Sequence, residues 1–193
     1  KADFITIMLM ERDRGESTDV PNYVDASGYT KNLRARSKVG EDKTEVSLAV
    51  YNIKKDTVYT VDTSTLPGIT DLPDYTKDYP DKEWEEKERE VIVSQAIFSE
   101  DGSKAIVNVR SKDNKDRWIA LLDLEDGSLE TLDRQRDEAW IAGPGIGWSF
   151  GGGTLGWLPD NKHIYFQSEA SGYSHLYLLD VTTGTKKALT EGE

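Results

Sequence analysis

The chain alternates apolar and polar positions over short runs, and nowhere does it sustain the 3.6-residue apolar period of a long helix, so its elements read as strands. One run recurs three times: Leu48-Ala49-Val50-Tyr51-Asn52-Ile53, Ile119-Ala120-Leu121-Leu122-Asp123-Leu124 and Leu176-Tyr177-Leu178-Leu179-Asp180-Val181. Four residues beyond each Asn or Asp stands a turn residue (Asp56, Gly127, Gly184), and five further on an aliphatic one (Val61, Leu132, Leu189). Each run therefore predicts strand, tight turn, strand, with turns near 53–57, 125–128 and 182–185. Upstream, the last two copies share a second hairpin signal. Phe98-Ser-Glu-Asp101-Gly102-Ser-Lys104 leads into 105–109, and Trp157-Leu-Pro159-Asp160-Asn161-Lys162 leads into 163–167. Gly and Asn tolerate the positive φ that such turns require.

A full unit thus offers four short strands, 98–132 and 157–189, with a step of 57 residues from Asp123 to Asp180. Four-stranded propeller blades repeat at roughly 40 to 50 residues, so this spacing is a blade plus a long connection. The expected fold class is all-β, a partial β-propeller of about three four-stranded antiparallel blades; a generic antiparallel β domain is the alternative. Residues 1–193 form one propeller segment in this reading. Its parts are an incomplete first blade unit (1–62), a charged connection (63–97), a second unit (98–133), a Gly-rich loop (134–156) and a third unit (157–193). The first unit holds a strand at 4–10, a polar excursion over 11–40 and a hairpin at 46–61. Nine of the ten residues 81–90 are charged, which reads as a solvated connection or, alternatively, as an acidic partner-binding patch. Glu83/Lys87 and Glu85/Arg89 at i,i+4 allow a short exposed helical turn there.

Charge narrows the partners. With 24 Lys+Arg against 36 Asp+Glu the net charge is −12, which argues against nucleic acid and anionic lipid, both of which select positive charge. The 5 Trp, 9 Tyr and 4 Phe nevertheless supply a core that a disordered acidic segment lacks. The longest apolar stretch, 4–10, is far short of the roughly 20 residues that span a bilayer. Zero cysteines exclude disulfides, thiolate zinc sites and a cysteine nucleophile. A chain opening on Lys1 without a basic-then-apolar leader is expected to be a piece of something longer.

Candidate chemistry is sparse. Gly147-Trp148-Ser149-Phe150-Gly151 satisfies G-x-S-x-G, which nominates Ser149 as a hydrolase nucleophile. The context opposes it: Ala142-Gly143-Pro144-Gly145-Ile146 is no central strand, and the Gly- and Pro-rich 151–159 is no helix. Ser149 is therefore read as a decoy in a loop joining two blades, and no catalytic residue is expected in this chain. His163 and His175 lack H-x-x-x-H or H-x-x-E partners and read as strand-surface residues, so no metal site is expected. Gly145-Ile-Gly147 lacks the Lys-Ser/Thr of a phosphate cradle, and no cofactor is expected. Trp118, Trp140, Trp148 and Trp157 read first as core or blade-packing residues. Trp140 and Trp148 flank the Gly/Pro loop and are the candidates for lining a substrate cavity.

The run from Trp157 through Tyr173-Ser-His-Leu-Tyr-Leu-Leu-Asp180 to Gly184–Thr190 resembles the propeller repeat of the prolyl oligopeptidase family of serine peptidases, in particular its dipeptidyl peptidase IV branch. Residues 29–40 before the Val46 hairpin, and Asp137-Glu-Ala-Trp140, resemble that branch as well. The resemblance implies a non-catalytic propeller that gates and positions short peptides for an α/β-hydrolase domain, which lies C-terminal in such enzymes and is absent here. It implies a peptidase parent, periplasmic or secreted. The branch's Glu-Glu pair for the substrate amino terminus is not carried over to Glu85-Glu86, which lies on the wrong side of the 36–40 segment. The loop 141–154 corresponds to one that approaches the substrate; lacking Arg and Lys, it leaves Trp148 as the substitute contact. A propeller module used only for protein–protein binding in the cell envelope is the competing reading. The unpaired edges of an open ring invite self-association, which brings in a homodimer.

Overall fold

The computed structural model describes residues 3–13, 15–38, 40–41, 44–147 and 153–192. Its strands run β1 (Phe4–Glu11), β2 (Asp19–Asn22), β3 (Lys31–Arg34), β4 (Glu45–Asn52), β5 (Thr57–Thr60), β6 (Val91–Val93) and β7 (Ile97–Phe98). They continue as β8 (Ala105–Ser111), β9 (Asp116–Leu122), β10 (Leu129–Arg136), β11 (Leu155–Trp157), β12 (His163–Ser168), β13 (His175–Asp180) and β14 (Lys186–Ala188). The fold is all-β. Three antiparallel sheets carry it: a first of order β1-β4-β5, a central one of order β10-β9-β8-β6 with β7 also on β8, and a third of order β11-β12-β13-β14. Two compact units are present, Lys1–Leu9 with Ser47–Glu193, and Met10–Val46. The latter contains the hairpin β2-β3, paired from Asp19↔Arg34 to Asn22↔Lys31.

The recurrent Asn or Asp is explained by the turns it closes. Asn52 Oδ1 accepts the amide of Lys54, Asp123 Oδ1 that of Glu125 and Asp180 Oδ1 that of Thr182. The turn residues four positions on, Asp56, Gly127 and Gly184, all have positive φ (49°, 81° and 69°). In the second hairpin type, Asp101 Oδ1 accepts the Ser103 amide and Asp160 Oδ1 the Lys162 amide, with Gly102 and Asn161 left-handed. A short polar side chain that bonds two residues ahead, followed by a residue tolerant of positive φ, is the local chemistry of a tight turn. These five turns were therefore legible.

The stretch 63–97, expected to be a charged connection, is more ordered than that. It contains a 3-10 turn at Asp74–Asp78, where the Thr76 hydroxyl donates to the Pro73 carbonyl, and the strand β6 paired to the far half of β8. No helix forms at 81–90; that run has no apolar stripe to bury. Three residues of strand beside a charged run carry too little periodicity to be read.

Alternation sorts the central sheet into two faces. Ala105, Val107, Val109, Trp118, Ala120 and Leu122 join Leu48, Val50 and Val61 of the first sheet in one apolar cluster. Ile106 and Ile119 join Ile164, Phe166 and Leu179 of the third sheet in another. A bulge interrupts the β9-β10 register between Thr131 and Asp133, so Asp133 faces Ile119 and Arg134 faces Trp118. One extra residue, Leu132, thus turns Arg134 and Arg136 to the Trp118 face and Asp133 and Gln135 to the other.

Candidate functional site

The sequence candidates converge on the connection from β10 to β11. At its start Asp137 accepts the amides of Ala139 (2.7 Å) and Trp140 (3.0 Å), an Asx turn that leaves the indole 52 % exposed. Those two bonds, Trp140's first, hold the Asp137 carboxyl below the usual range. The segment then turns inward, burying Ile141 and Ile146. The Ile141 amide donates to the Asn114 carbonyl in the β8-β9 turn, and the Ser174 hydroxyl in the β12-β13 turn donates to the Pro144 carbonyl at 2.7 Å. Thr154, just before β11, donates its amide to Gly145 O at 2.7 Å. Gly153, at φ 68°, lies against Gly145, Ile146 and Gly147 with no room for a Cβ. Both ends of the connection therefore meet at one neck. Trp148 and Ser149 lie outside the described residues.

Trp140, Ile141 and Ile146 form one wall of a cleft of about 280 Å³, closed on other sides by Arg136, Glu169 and Lys186 among others. Its cations are engaged elsewhere: Lys186 pairs with Asp133 at 2.5 Å, and Arg136 pairs with Asp116 at 2.5 Å and also with Glu138. Glu169 has no ion pair among the described residues; its carboxylate stands against Gly143, where a Cβ would collide with it. The cleft thus offers an indole face and the Glu169 carboxylate over two nearly buried isoleucines, a lining able to hold a short cationic segment. Among the described residues no cluster suited to a metal ion is present.

Beneath the cleft, between the central and third sheets, lies a polar layer that sequence reasoning missed. Arg117, fully buried, donates Nε–H to Asn108 Oδ1 (2.6 Å) and Nη1–H to Gln167 O (2.8 Å) and Gln135 Oε1 (3.3 Å). Burial, together with repulsion from Arg110, lowers its pKa to about 10 against partial support from Asp133. Arg110 is buried beside it. The available signal was Asn108 and Arg110 standing two apart inside an otherwise apolar strand, one face of β8 made polar.

The opposite face of the same sheet end is arranged differently. Buried Asp116 accepts from Arg89 Nη1 (2.7 Å), Arg134 Nε (2.8 Å) and Arg136 Nη1 (2.5 Å). Asp71 pairs with Arg134 Nη2, Glu138 with Arg136 Nη2, and Asp113 shares Arg89 Nη1, while Arg89 Nε–H and Nη2–H donate to the Ile69 and Gly68 carbonyls. The histidines serve turns: His163 Nδ1 lies 2.6 Å from Asp160 Oδ2, and His175 lies 3.2 Å from the Thr190 hydroxyl.

The sequence profile of one protein family, described as the dipeptidyl peptidase IV (DPP IV) N-terminal region, matches residues 5–193. No curated protein sequence matches the chain. Among solved structures, dipeptidyl peptidase 4 of Porphyromonas gingivalis is similar with a TM-score of 0.63 and 16 % identity, covering 98 % of this chain and 23 % of that one. A candidate dipeptidyl aminopeptidase IV from Bacteroides ovatus ATCC 8483 is similar with a TM-score of 0.60 and 12 % identity, covering 98 % of this chain and 26 % of that one. The chain therefore spans about a quarter of the length of these structures, and at such identities the likeness is one of fold.

Proposed function

Because the chain belongs to the dipeptidyl peptidase IV N-terminal region family, we propose that it is a non-catalytic β-propeller segment, of about three blades, of a periplasmic or secreted serine exopeptidase. In this reading the segment gates and positions short peptides for a C-terminal α/β-hydrolase domain of the same protein. Trp140 and Trp148 contact the peptide. The observation that supports the reading is the exposed Trp140 indole on a cleft whose loop wall is tied to both neighbouring sheets, since binding loops need a rigid scaffold beneath them.

The test is kinetic, on the intact protein, with dipeptidyl chromogenic amides bearing free amino termini. Trp140→Ala and Trp148→Ala should each raise KM with little change in kcat, the mark of a lost binding contact. Ser149→Ala should leave turnover within a few fold, and a fluorophosphonate probe should label a serine outside residues 1–193. Labelling of Ser149, or an intact protein without peptidase activity, sinks the proposal; the latter outcome favours a propeller that only binds proteins. For the homodimer, support comes from the hairpin β2-β3, which exposes Val20, Tyr23, Val24 and Leu33 together, an apolar surface of the kind that marks association sites. Leu33→Glu should shift the intact protein to a monomer in sedimentation, and an unchanged sedimentation coefficient counts against this surface.

A further inference from the structure

Arg110 bears on the cleft without lining it. It projects from β8, 6 % exposed, on the face shared with Arg117. Its Nη1–H donates to the Gly147 carbonyl and its Nη2–H to the Ile141 carbonyl, each at 2.7 Å. Those two carbonyls bracket the stretch 141–147 that supplies Ile141 and Ile146 to the cleft and continues from Trp140. A planar guanidinium bridging two acceptors fixes both their separation and their direction, which a single ammonium donor does not. Burial pushes the Arg110 pKa down, so holding a guanidinium there against two loop carbonyls has a cost.

We infer that Arg110 is a positioning residue that holds the Trp140–Ile141–Ile146 wall in the geometry that receives the peptide. The inference rests on the substrate contact proposed above. Arg110 touches no substrate itself; it acts through the loop backbone, by keeping the ends of 141–147 at a fixed span.

The experiment compares Arg110→Met, Arg110→Lys and Trp140→Ala in the intact protein. Hydrogen exchange, which needs no substrate, should show faster exchange at the amides of 141–147 in both Arg110 variants, with β8 and β9 themselves unchanged. Kinetically, Arg110→Met should raise KM about tenfold with kcat within about twofold of wild type. Arg110→Lys, which keeps the charge and one donor direction, should fall between the two. If Arg110→Met does not fold, the lysine variant carries both measurements. A raised KM in Trp140→Ala with unchanged KM in the Arg110 variants overturns the inference and leaves the contact reading standing. An unchanged KM in all three removes the contact reading, and the positioning role for substrate falls with it. Unchanged exchange at 141–147 overturns the inference whatever the kinetics, because the loop is then held without Arg110.

Discussion

The two faces of the central sheet bury the same kind of residue by opposite means. Toward the first sheet, one buried carboxylate, Asp116, gathers Arg89, Arg134 and Arg136, and three further acids complete the set. Toward the third sheet, Arg110 and Arg117 lie close together, and their hydrogen bonds go mainly to carbonyl and amide oxygens. The first arrangement cancels charge and ties the segments that carry Asp71, Arg89, Asp116 and Glu138 to one sheet end. The second aims Arg110's donors at two loop carbonyls and Arg117's at side-chain and strand oxygens, with Asp133 only partly offsetting the Arg117 charge. A buried arginine therefore says little about its role until its acceptors are named.

The contrast is broken most forcefully at Asp116. Asp116→Ala removes the buried carboxylate that three guanidiniums share, leaving each with one outer acid, and should cost about 3 kcal/mol, the low end for removing one partner of a buried ion pair; urea denaturation measures it. A loss below about 1 kcal/mol, no more than a surface pair contributes, would show that the cluster is solvated in solution.

Arg117→Met should cost far less. A pKa depressed from the ordinary arginine value to about 10 means that charging Arg117 opposes folding at neutral pH, by on the order of 3 kcal/mol at 1.36 kcal/mol per unit. The substitution recovers that energy and forfeits hydrogen bonds of similar total worth, so stability should stay within about 1 kcal/mol of wild type. The sign with pH is defined. In the window that opens at about pH 10 the unfolded arginine keeps a proton that the folded one has released, so wild type should gain stability over the variant as pH rises through it. A difference that is flat across the window would contradict the poor compensation of this face.

Trp140→Ala should cost about 1 kcal/mol, since half of the residue is in water, well short of the roughly 3–5 kcal/mol for truncating a buried aromatic; calorimetry distinguishes the two. The smallest effect is expected at Asp160, whose pKa is lowered to about 2 by the amides of Lys162 and His163 and by the His163 ring. Its contribution is complete above the unfolded value of 3.8 and is lost as pH falls through about 2. The stability gap between wild type and Asp160→Asn should therefore close over that interval in an acid titration; a constant gap would mean that the turn does not depend on the ionised carboxylate.

Hairpins were readable because their determinants are local. Asn52, Asp123 and Asp180 act on amides two residues away, and Asp56, Gly127 and Gly184 adopt backbone angles that their own residue type permits. Strand β6 was not readable, since three residues take their conformation from β8 and not from their own pattern. The site divides in the same way. Trp140 announced itself by its position beside the Gly/Pro loop, whereas Arg110 acquires its role from carbonyls 31 and 37 residues away, and such partners are settled only when the sheets pack.

The extra residue at Leu132 gives β10 a parity. Upstream of it Leu129 joins the Trp118 face; downstream Asp133 and Gln135 stand with Arg117, and Arg134 and Arg136 with Asp116. Losing or gaining a single residue in the strand would exchange the two sets at once, setting Arg134 and Arg136 against Arg110 and Arg117 and depriving Asp116 of two of its three cations. Changes of two residues restore the partition. Length change within β10 is thus constrained to even steps, whereas the turn before it can take up any number, a constraint of register that no single-site substitution would reveal.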